Sequence, residues 1–258
     1  MAPSLSVIVI THNESARLRA CLTSVAFARE VVVVDSGSTD DTVDIARAMG
    51  ARVSQTPDWP GFGPQKNRAL DLATGDWVLS IDADERVTPE LRDQVQAAMA
   101  LGAFAAYEVH RRSSYCGQYM LHSGWYPDRI VRLFRRGSAR FSDDLVHENL
   151  RVQGPVGRLD GELLHESYAD LESVLDKLNR YSTAGARSLH AKGVKGSLGK
   201  AVGHGLWAFV RTYLVKRGFL DGRLGLALAI SNAEGTYYRY LKLWLLQRQA
   251  GPGLSSRP

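Results

Sequence analysis

Trp77-Val78-Leu79-Ser80-Ile81-Asp82-Ala83-Asp84-Glu85 is the stretch on which the fold turns. The apolar run from Trp77 to Ile81 reads as a strand buried on both faces of a sheet. It passes straight into two carboxylates one residue apart. Such acids at the mouth of an apolar strand repel each other unless a cation or a proton offsets them. A hard divalent cation with oxygen ligands is the natural partner. The Asp-x-Asp pattern alone is common by chance, and its position after this strand is what gives it weight.

Upstream, Leu5 to Ile10 is a second buried-strand run, ending in polar Thr11-His12-Asn13-Glu14. Leu18, Leu22, Val25 and Ala26 then share one helical stripe, and Val31 to Val34 forms a strand closing on Asp35, completing a βαβ unit. In Ser36-Gly37-Ser38-Thr39-Asp40-Asp41, Ser38 is placed to cap a helix with Asp41 three positions on, and Gly50 to stop it. A third strand is expected over Arg52 to Ser54. Pro64 suits the first turn of another helix and Gly75 its end, while Thr88-Pro89-Glu90 opens one more. Strands alternating with helices in this way predict a doubly wound α/β sheet, whose ligands bind beyond the carboxyl ends of the strands. Thr11, Asp35 and Asp82 lie at such ends. Taken alone, Asp35 reads equally well as a turn or helix-cap residue.

The chain has 258 residues, 45% of them hydrophobic and 23% charged, which excludes a disordered or fibrous protein. Cys21 and Cys116 allow at most one disulfide, and no CxxC pair or cysteine-rich zinc pattern occurs, so a reducing cytosol is expected. The Met1-Ala2-Pro3-Ser4 start has no basic leader or small-residue cleavage site, which argues against a secretory signal. The longest apolar stretches, Ala201 to Val210 and Leu224 to Ala233, fall well short of the roughly 18 residues that a membrane span needs. The net charge of +5 is unevenly placed: residues 190 to 258 hold eleven Lys/Arg against two acids. A basic segment of this kind meets nucleic acid, an acidic substrate or an anionic membrane, and charge alone does not choose among them.

Several segments together resemble glycosyltransferase family 2, the inverting nucleotide-sugar transferases. They are SVIVITHNE (6 to 14), VVVVDSGSTDDT (31 to 42), GPQKNRALDLATGDWVLSIDADE (63 to 85), and the later RLFRR and VHE followed by an isolated histidine. The segments GWYPDRIVRLFRR and GFLDGRLGLALAISNAEGTYYRYLKLW further resemble the lipopolysaccharide core β-1,4-glucosyltransferase branch, which adds glucose to an inner-core heptose. The resemblance implies the GT-A fold, a Rossmann-like doubly wound mixed sheet. It also implies a divalent metal, Mg²⁺ or Mn²⁺, and a UDP-sugar donor.

Residue by residue, the resemblance implies that Thr11, Asn13, Glu14 and Asp35 hold the uracil and ribose of the donor. Lys66, before Asn67, stands near the diphosphate where many relatives have arginine. An ammonium is a sound phosphate partner without arginine's bidentate fork; an exposed helix charge is the alternative reading. Asp82 falls near the ribose or a metal-bound water. Asp84 and the late histidine, His165, are implied as metal ligands, and Glu85 reads as a neighbouring helix-start acid. A metal there would neutralise charge on the departing nucleoside diphosphate. Inverting transfer also needs a base for the acceptor hydroxyl. In Asp143-Asp144-Leu145-Val146-His147-Glu148 the expected base is Glu148 with Asp144 in reserve, and a solvated acidic loop is the competing account.

On the acceptor side, Gly124-Trp125-Tyr126 offers an aromatic face for a sugar ring, though core packing accounts for Trp125 equally well. The alternation in DRIVRLFRR predicts a strand whose polar face, Arg132 included, looks toward an anionic acceptor or diphosphate. After His165, a helix is expected with Leu171, Val174, Leu175, Leu178 and Tyr181 on one face. From Leu206 to Leu246 aromatic and cationic residues intermix, which suits a membrane interface, or else a helical pair packed on the catalytic domain or a second subunit. Nucleic acid ranks lower, since no nucleic-acid module is recognised.

The expected organisation is a nucleotide-sugar-binding and catalytic domain over 1–190, a helical basic-aromatic extension over 191–250 and a disordered tail over 251–258. The expected function is metal-dependent, inverting transfer of a hexose, glucose from UDP-glucose, to a hydroxyl of a lipid-linked saccharide such as lipopolysaccharide inner-core heptose. The protein would be peripheral on the cytoplasmic face of the membrane, with a homo-oligomer left open. A nucleotidyltransferase acting on a sugar phosphate, or a non-catalytic membrane-bound sugar-nucleotide-binding protein, are the alternatives.

Overall fold

The structure is a computed structural model, and it describes residues 3–142 and 149–250. The chain packs as two units, Met1–Arg112 with Asp128–His165, and Ser113–Pro127 with Glu166–Pro258. The boundary expected at residue 190 therefore falls inside the second unit, which also takes in a segment from before residue 128.

The first unit is built on β1 (Leu5–Thr11), β2 (Glu30–Asp35), β3 (Arg52–Gln55), β4 (Trp77–Asp82) and β5 (Glu85–Val87), interleaved with α1 (Ser15–Ser24), α2 (Thr42–Ala48), α3 (Phe62–Leu72) and α4 (Pro89–Leu101). The chain continues through β6 (Ala106–Tyr115), β7 (Gln118–Tyr119), β8 (Asp128–Arg135), β9 (Ala139–Phe141), β10 (Leu150–Val152) and β11 (Val156–Tyr168). Strand order in the main sheet is β3-β2-β1-β4-β8-β6-β11-β5, and β9 and β10 form a separate ladder. The first four strands run parallel, and β8 joins β4 antiparallel, so the sheet is mixed.

Because side chains alternate along a strand, β1, β2 and β4 feed two cores. Val7, Val9, Val33, Leu79 and Ile81 pack with Leu18, Leu22, Ala46, Leu91 and Val95 of α1, α2 and α4. Ile8, Val32, Val34 and Val78 pack on the other face with Ala69 and Leu70 of α3. Helices on both faces make the sheet doubly wound, as the spacing of elements predicts.

Two local expectations are corrected. Ser38 does not cap α2; its N-cap is Asp41, and the Ser38 hydroxyl turns back to Asp35. Gly75 does not end α3, which stops at Leu72. A Cβ at Gly75 would come within 2.7 Å of the Ser6 backbone nitrogen, so it is close approach to β1 that requires a glycine there. Thr88 behaves as expected, its Oγ1 accepting the Leu91 N–H at the start of α4. Cys21, buried, and Cys116 are both free thiols.

The second unit holds α5 (Leu171–Ala191), α6 (Leu198–Val210) and α7 (Gly222–Ala250), with a π-helical turn over Arg211–Val215 and a 3₁₀ turn over Gly218–Asp221. Asp170 caps α5 through a reciprocal pair with Ser173, and Ser197 caps α6. Asp221, buried, accepts the backbone N–H groups of Leu121 and His122 and the Ser123 hydroxyl, which ties the 113–127 segment to the helices. Val174 of α5 is buried with Tyr115, Met120 and Leu228. Leu171, Leu175 and Tyr181, expected on the same apolar face, are instead exposed. Among the described residues no helix is long and apolar enough to cross a membrane.

Candidate active site

Parallel pairing brings the polar ends of β1, β2 and β4 together: Thr11 lies opposite Asp35, and Ile10 opposite Asp82. Asp35 is fully buried, and its carboxylate accepts from Thr11 Oγ1 at 2.9 Å and from the Gly37 and Ser38 N–H groups at 3.0 and 2.9 Å. Gly37 takes φ +80°, the left-handed backbone that this turn needs. Asn13, also left-handed, donates its N–H to Ser38 Oγ and accepts the Thr39 N–H at Oδ1, both at 2.8 Å. Glu14 donates its N–H to Thr42 Oγ1 at 2.8 Å, and its carboxylate lies 3.6 Å from Arg17. Thr11, Asn13, Glu14 and Asp35 are thus brought together, and their hydrogen bonds brace two neighbouring loops.

The carboxylate motif divides its two acids between different partners. Asp82 ends β4, with Lys66 Nζ 3.0 Å from one oxygen and Arg132 Nη2 2.7 Å from the other. These two cations hold the Asp82 carboxyl far below the ordinary carboxylate range, against the opposing effect of burial, the largest single influence. The protein itself therefore supplies the positive charge that offsets Asp82. Lys66 is 3% exposed, so it is no surface helix charge. Arg132, expected to face an acceptor, is buried instead and bridges Asp82 to Glu85, with Glu85 Oε1 at 2.6 Å.

Glu85 is not a helix-start acid. It opens β5 with no exposed surface, accepts the Asp82 N–H at 2.9 Å and has Arg111 at 3.8 Å. Burial, with the Asp82 charge adding to it, pushes its carboxyl up despite Arg132. No local sequence signal separates Glu85 from a solvated acid, since its burial comes from the pairing of β5 with β11, which places His165 opposite Glu85.

That pairing also brings the other half of the motif to its partner. Asp84 sits in the turn between β4 and β5, and its Oδ2 lies 3.3 Å from His165 Nε2. Both side chains are mostly buried, at 18% and 16% exposure. His165 lies within β11, ahead of α5. Among the described residues no three His, Cys, Asp or Glu side chains form a metal cage. Asp84 and His165 therefore offer two donors, one carboxylate oxygen and one imidazole nitrogen. The set fits a Mn²⁺- or Mg²⁺-type ion that draws its remaining ligands from water and substrate phosphates.

Asn67, next to Lys66, exchanges two hydrogen bonds of 3.0 Å with the backbone of Phe141 at the end of β9. Ser142 and Asn149 then pair with each other, Ser142 N–H to Asn149 O at 2.9 Å and Asn149 N–H to Ser142 Oγ at 3.1 Å. Asp144 and Glu148 lie between these anchors and outside the described residues. Asn67 and Gln65, whose amide reaches Ser36 and Thr56, carry positioning roles that the sequence reading did not assign. Trp125 belongs to the second unit, where it stacks on Tyr168 with ring centroids 5.8 Å apart.

The fold and its acidic edge define a doubly wound α/β protein with its site at the carboxyl ends of parallel strands. The chain belongs to glycosyltransferase family 2, whose model matches residues 6–150, and it is a glycosyltransferase. It is 31% identical over 252 residues to the uncharacterized glycosyltransferase RT0209 of Rickettsia typhi, covering 93% of this chain and 86% of that one. It is 30% identical over 256 residues to the lipopolysaccharide core biosynthesis glycosyltransferase LpsC of Rhizobium meliloti, covering 92% and 93%. A crystal structure of glucosyl-3-phosphoglycerate synthase from Mycobacterium tuberculosis, in complex with Mn²⁺, UDP and glucosyl-3-phosphoglycerate, is 30% identical over 43% of this chain and 44% of that one, with a TM-score of 0.37.

Proposed function

We propose that the protein transfers a hexose from UDP-hexose, with inversion, to a hydroxyl of a lipid-linked saccharide of the lipopolysaccharide core type. The observation that carries this reading is the Asp84–His165 pair beside Asp82, whose own charge is already balanced by Lys66 and Arg132. The likeness to LpsC over nearly the whole chain supports the class of acceptor.

In this reading the loop from Thr11 to Glu14, with Asp35, receives the nucleoside. Lys66 stands near the diphosphate and Asp82 near the ribose or a metal-bound water, with Arg132 holding the Asp82 carboxylate. Asp84 and His165 hold a divalent ion, which when bound supplies Lewis-acid stabilisation of the leaving UDP. Glu148, or Asp144 in its place, takes the proton from the acceptor hydroxyl as that oxygen bonds to the anomeric carbon and the bond to the UDP oxygen breaks.

The protein works at the cytoplasmic membrane face as a peripheral enzyme. Leu198, Val202 and Leu206 form one exposed stripe of α6, joined by exposed Trp207, Leu214, Val215 and Phe219. Basic Lys200, Arg211, Lys216 and Arg217 intersperse them. Apolar and aromatic residues with cations suit an anionic headgroup layer.

The test is a donor screen with purified protein, Mn²⁺ and a deacylated core oligosaccharide. UDP release coupled to one new glycosidic linkage is expected. Pyrophosphate release from a nucleoside triphosphate and a sugar phosphate would replace this reading with nucleotidyl transfer, and donor binding without turnover would replace it with a sensor.

A further inference from the structure

Within the second unit, α5, α6, α7 and the 113–127 segment line an open cleft of about 390 Å³, within the roughly 300–1,000 Å³ usual for small-molecule sites. Its walls combine three kinds of chemistry. Tyr115, Trp125, Tyr168 and Tyr181 line one part, and Tyr115 and Trp125 meet edge to face with centroids 6.1 Å apart. Thr212, Ser231 and Asn232 add hydroxyls and an amide. Arg211 and Arg239 complete the lining, and neither forms an ion pair among the described residues.

Two backbone features place those arginines. Arg211 and Thr212 open the π-helical turn at the end of α6, an irregularity often found at functional sites because it re-aims side chains. Asn232 of α7 donates to Thr212 Oγ1 at 3.3 Å, holding the turn. On α5, Gly185 leaves room for Arg239, since a Cβ there would stand 2.8 Å from the Arg239 Nε. A glycine inside a helix is unfavourable relative to alanine, and here it lets a guanidinium lie across α5.

We propose that this cleft binds an anionic saccharide, a sugar ring carrying a phosphate or carboxylate group. Trp125 and Tyr168 stack on each other and Tyr115 is buried, so the exposed ring of Tyr181 is the aromatic surface offered to a sugar ring. Hydroxyl and amide groups match ring hydroxyls in either direction, as donors or acceptors. Guanidinium groups free of carboxylates take an anion bidentately. The proposal concerns binding alone and stands whichever sugar the enzyme transfers.

The test is isothermal titration of the full chain with glucose 6-phosphate, glucose, inorganic phosphate and a deacylated, phosphorylated core oligosaccharide. A phosphorylated saccharide should bind at least about tenfold more tightly than glucose or phosphate, a gap of about 1.4 kcal/mol. Arg211→Gln and Arg239→Gln should each weaken it about tenfold or more, with circular dichroism unchanged. Gly185→Ala, which keeps both arginines and displaces one, should weaken it in the same direction. Preference for the oligosaccharide identifies a lipid-linked source, and equal binding of glucose 6-phosphate a soluble one; both support the site. No binding of either phosphorylated probe at about 10 mM, equal binding of glucose, or unchanged affinity in both arginine variants would overturn it.

Discussion

Arg132 Nη2 lies 2.6 Å from Glu85 Oε1 while the same nitrogen stands 2.7 Å from Asp82 Oδ2, so one buried guanidinium holds a fully buried acid against the first acid of the Asp-x-Asp motif. Removing the cation alone leaves Asp82 with Lys66 and the fully buried Glu85 with Arg111 at 3.8 Å, and breaking a buried pair from one side costs about 3–5 kcal/mol. Arg132→Met should lower the unfolding free energy by that order in urea titration. Arg132→Met with Glu85→Leu should recover part of the loss, because replacing both partners with apolar groups removes the stranded charge as well. A double variant no more stable than the single one would show that Glu85 is not the residue Arg132 offsets.

Asp40 gives a pH signature for the loops beside the site. Its carboxylate accepts from Thr42 Oγ1 at 2.5 Å and from the Ser15 N–H at 3.1 Å, and these bonds, the Thr42 hydroxyl first, hold its carboxyl below the ordinary value of 3.8. A depressed carboxyl contributes stability above its unfolded value and loses it as pH falls toward the folded value. Wild type should therefore melt above Asp40→Asn at pH 6, and the gap should close as pH drops below about 3.8. A gap independent of pH would mean that the ionised form is not what braces Thr42 and Ser15.

Much of this site was readable in the chain itself, and the rest was hidden for definite reasons. The runs ending in Thr11, Asp35 and Asp82 are uniformly apolar because both faces of β1, β2 and β4 are covered, and such runs announce themselves without a structure. Glu85, Lys66 and Arg132 gave no such signal, because their burial follows from strand and helix packing far away in sequence. The apolar face expected of Leu171, Leu175 and Tyr181 misled for the converse reason: periodicity shows that a helix has an apolar stripe, not that anything covers it. Insertion of 113–127 into the second unit depends on Asp221, a hundred residues downstream of Leu121.

The separation of 3.3 Å between Asp84 and His165 predicts that they act as one unit in metal-assisted donor binding. Asp84→Ala and His165→Ala should each reduce UDP affinity in Mn²⁺ by at least about 10–100-fold, the penalty that loss of a partner behind a metal ligand already brings. Without Mn²⁺ the variants should match wild type. Titration calorimetry with and without metal checks this, and UDP affinity indifferent to Mn²⁺ in wild type would remove both residues from a metal role.

Glu148→Gln is expected to separate binding from chemistry, Glu148 being the proposed base. Losing a general base costs about 10²–10⁴-fold in rate and leaves donor contacts intact. Turnover should fall by that order while UDP affinity stays at the wild-type level. Wild-type turnover in Glu148→Gln together with collapse in Asp144→Asn would move the base to Asp144.

Leu206 and Trp207, 64% and 57% exposed on α6, expose more apolar surface than a solvated helix face needs. Burial in a headgroup layer returns about 25 cal/mol for each Å² of that surface, and neighbouring cations add attraction to anionic lipid. Leu206→Ser with Trp207→Ser should cut co-sedimentation with phosphatidylglycerol vesicles about tenfold or more without changing UDP affinity. Raised salt should weaken wild-type binding, since screening acts on the cationic part. A variant that sediments as wild type does would remove Leu206 and Trp207 from lipid binding, and a wild type that ignores anionic vesicles and dimerises through this face in sedimentation velocity would assign the surface to another copy of the chain.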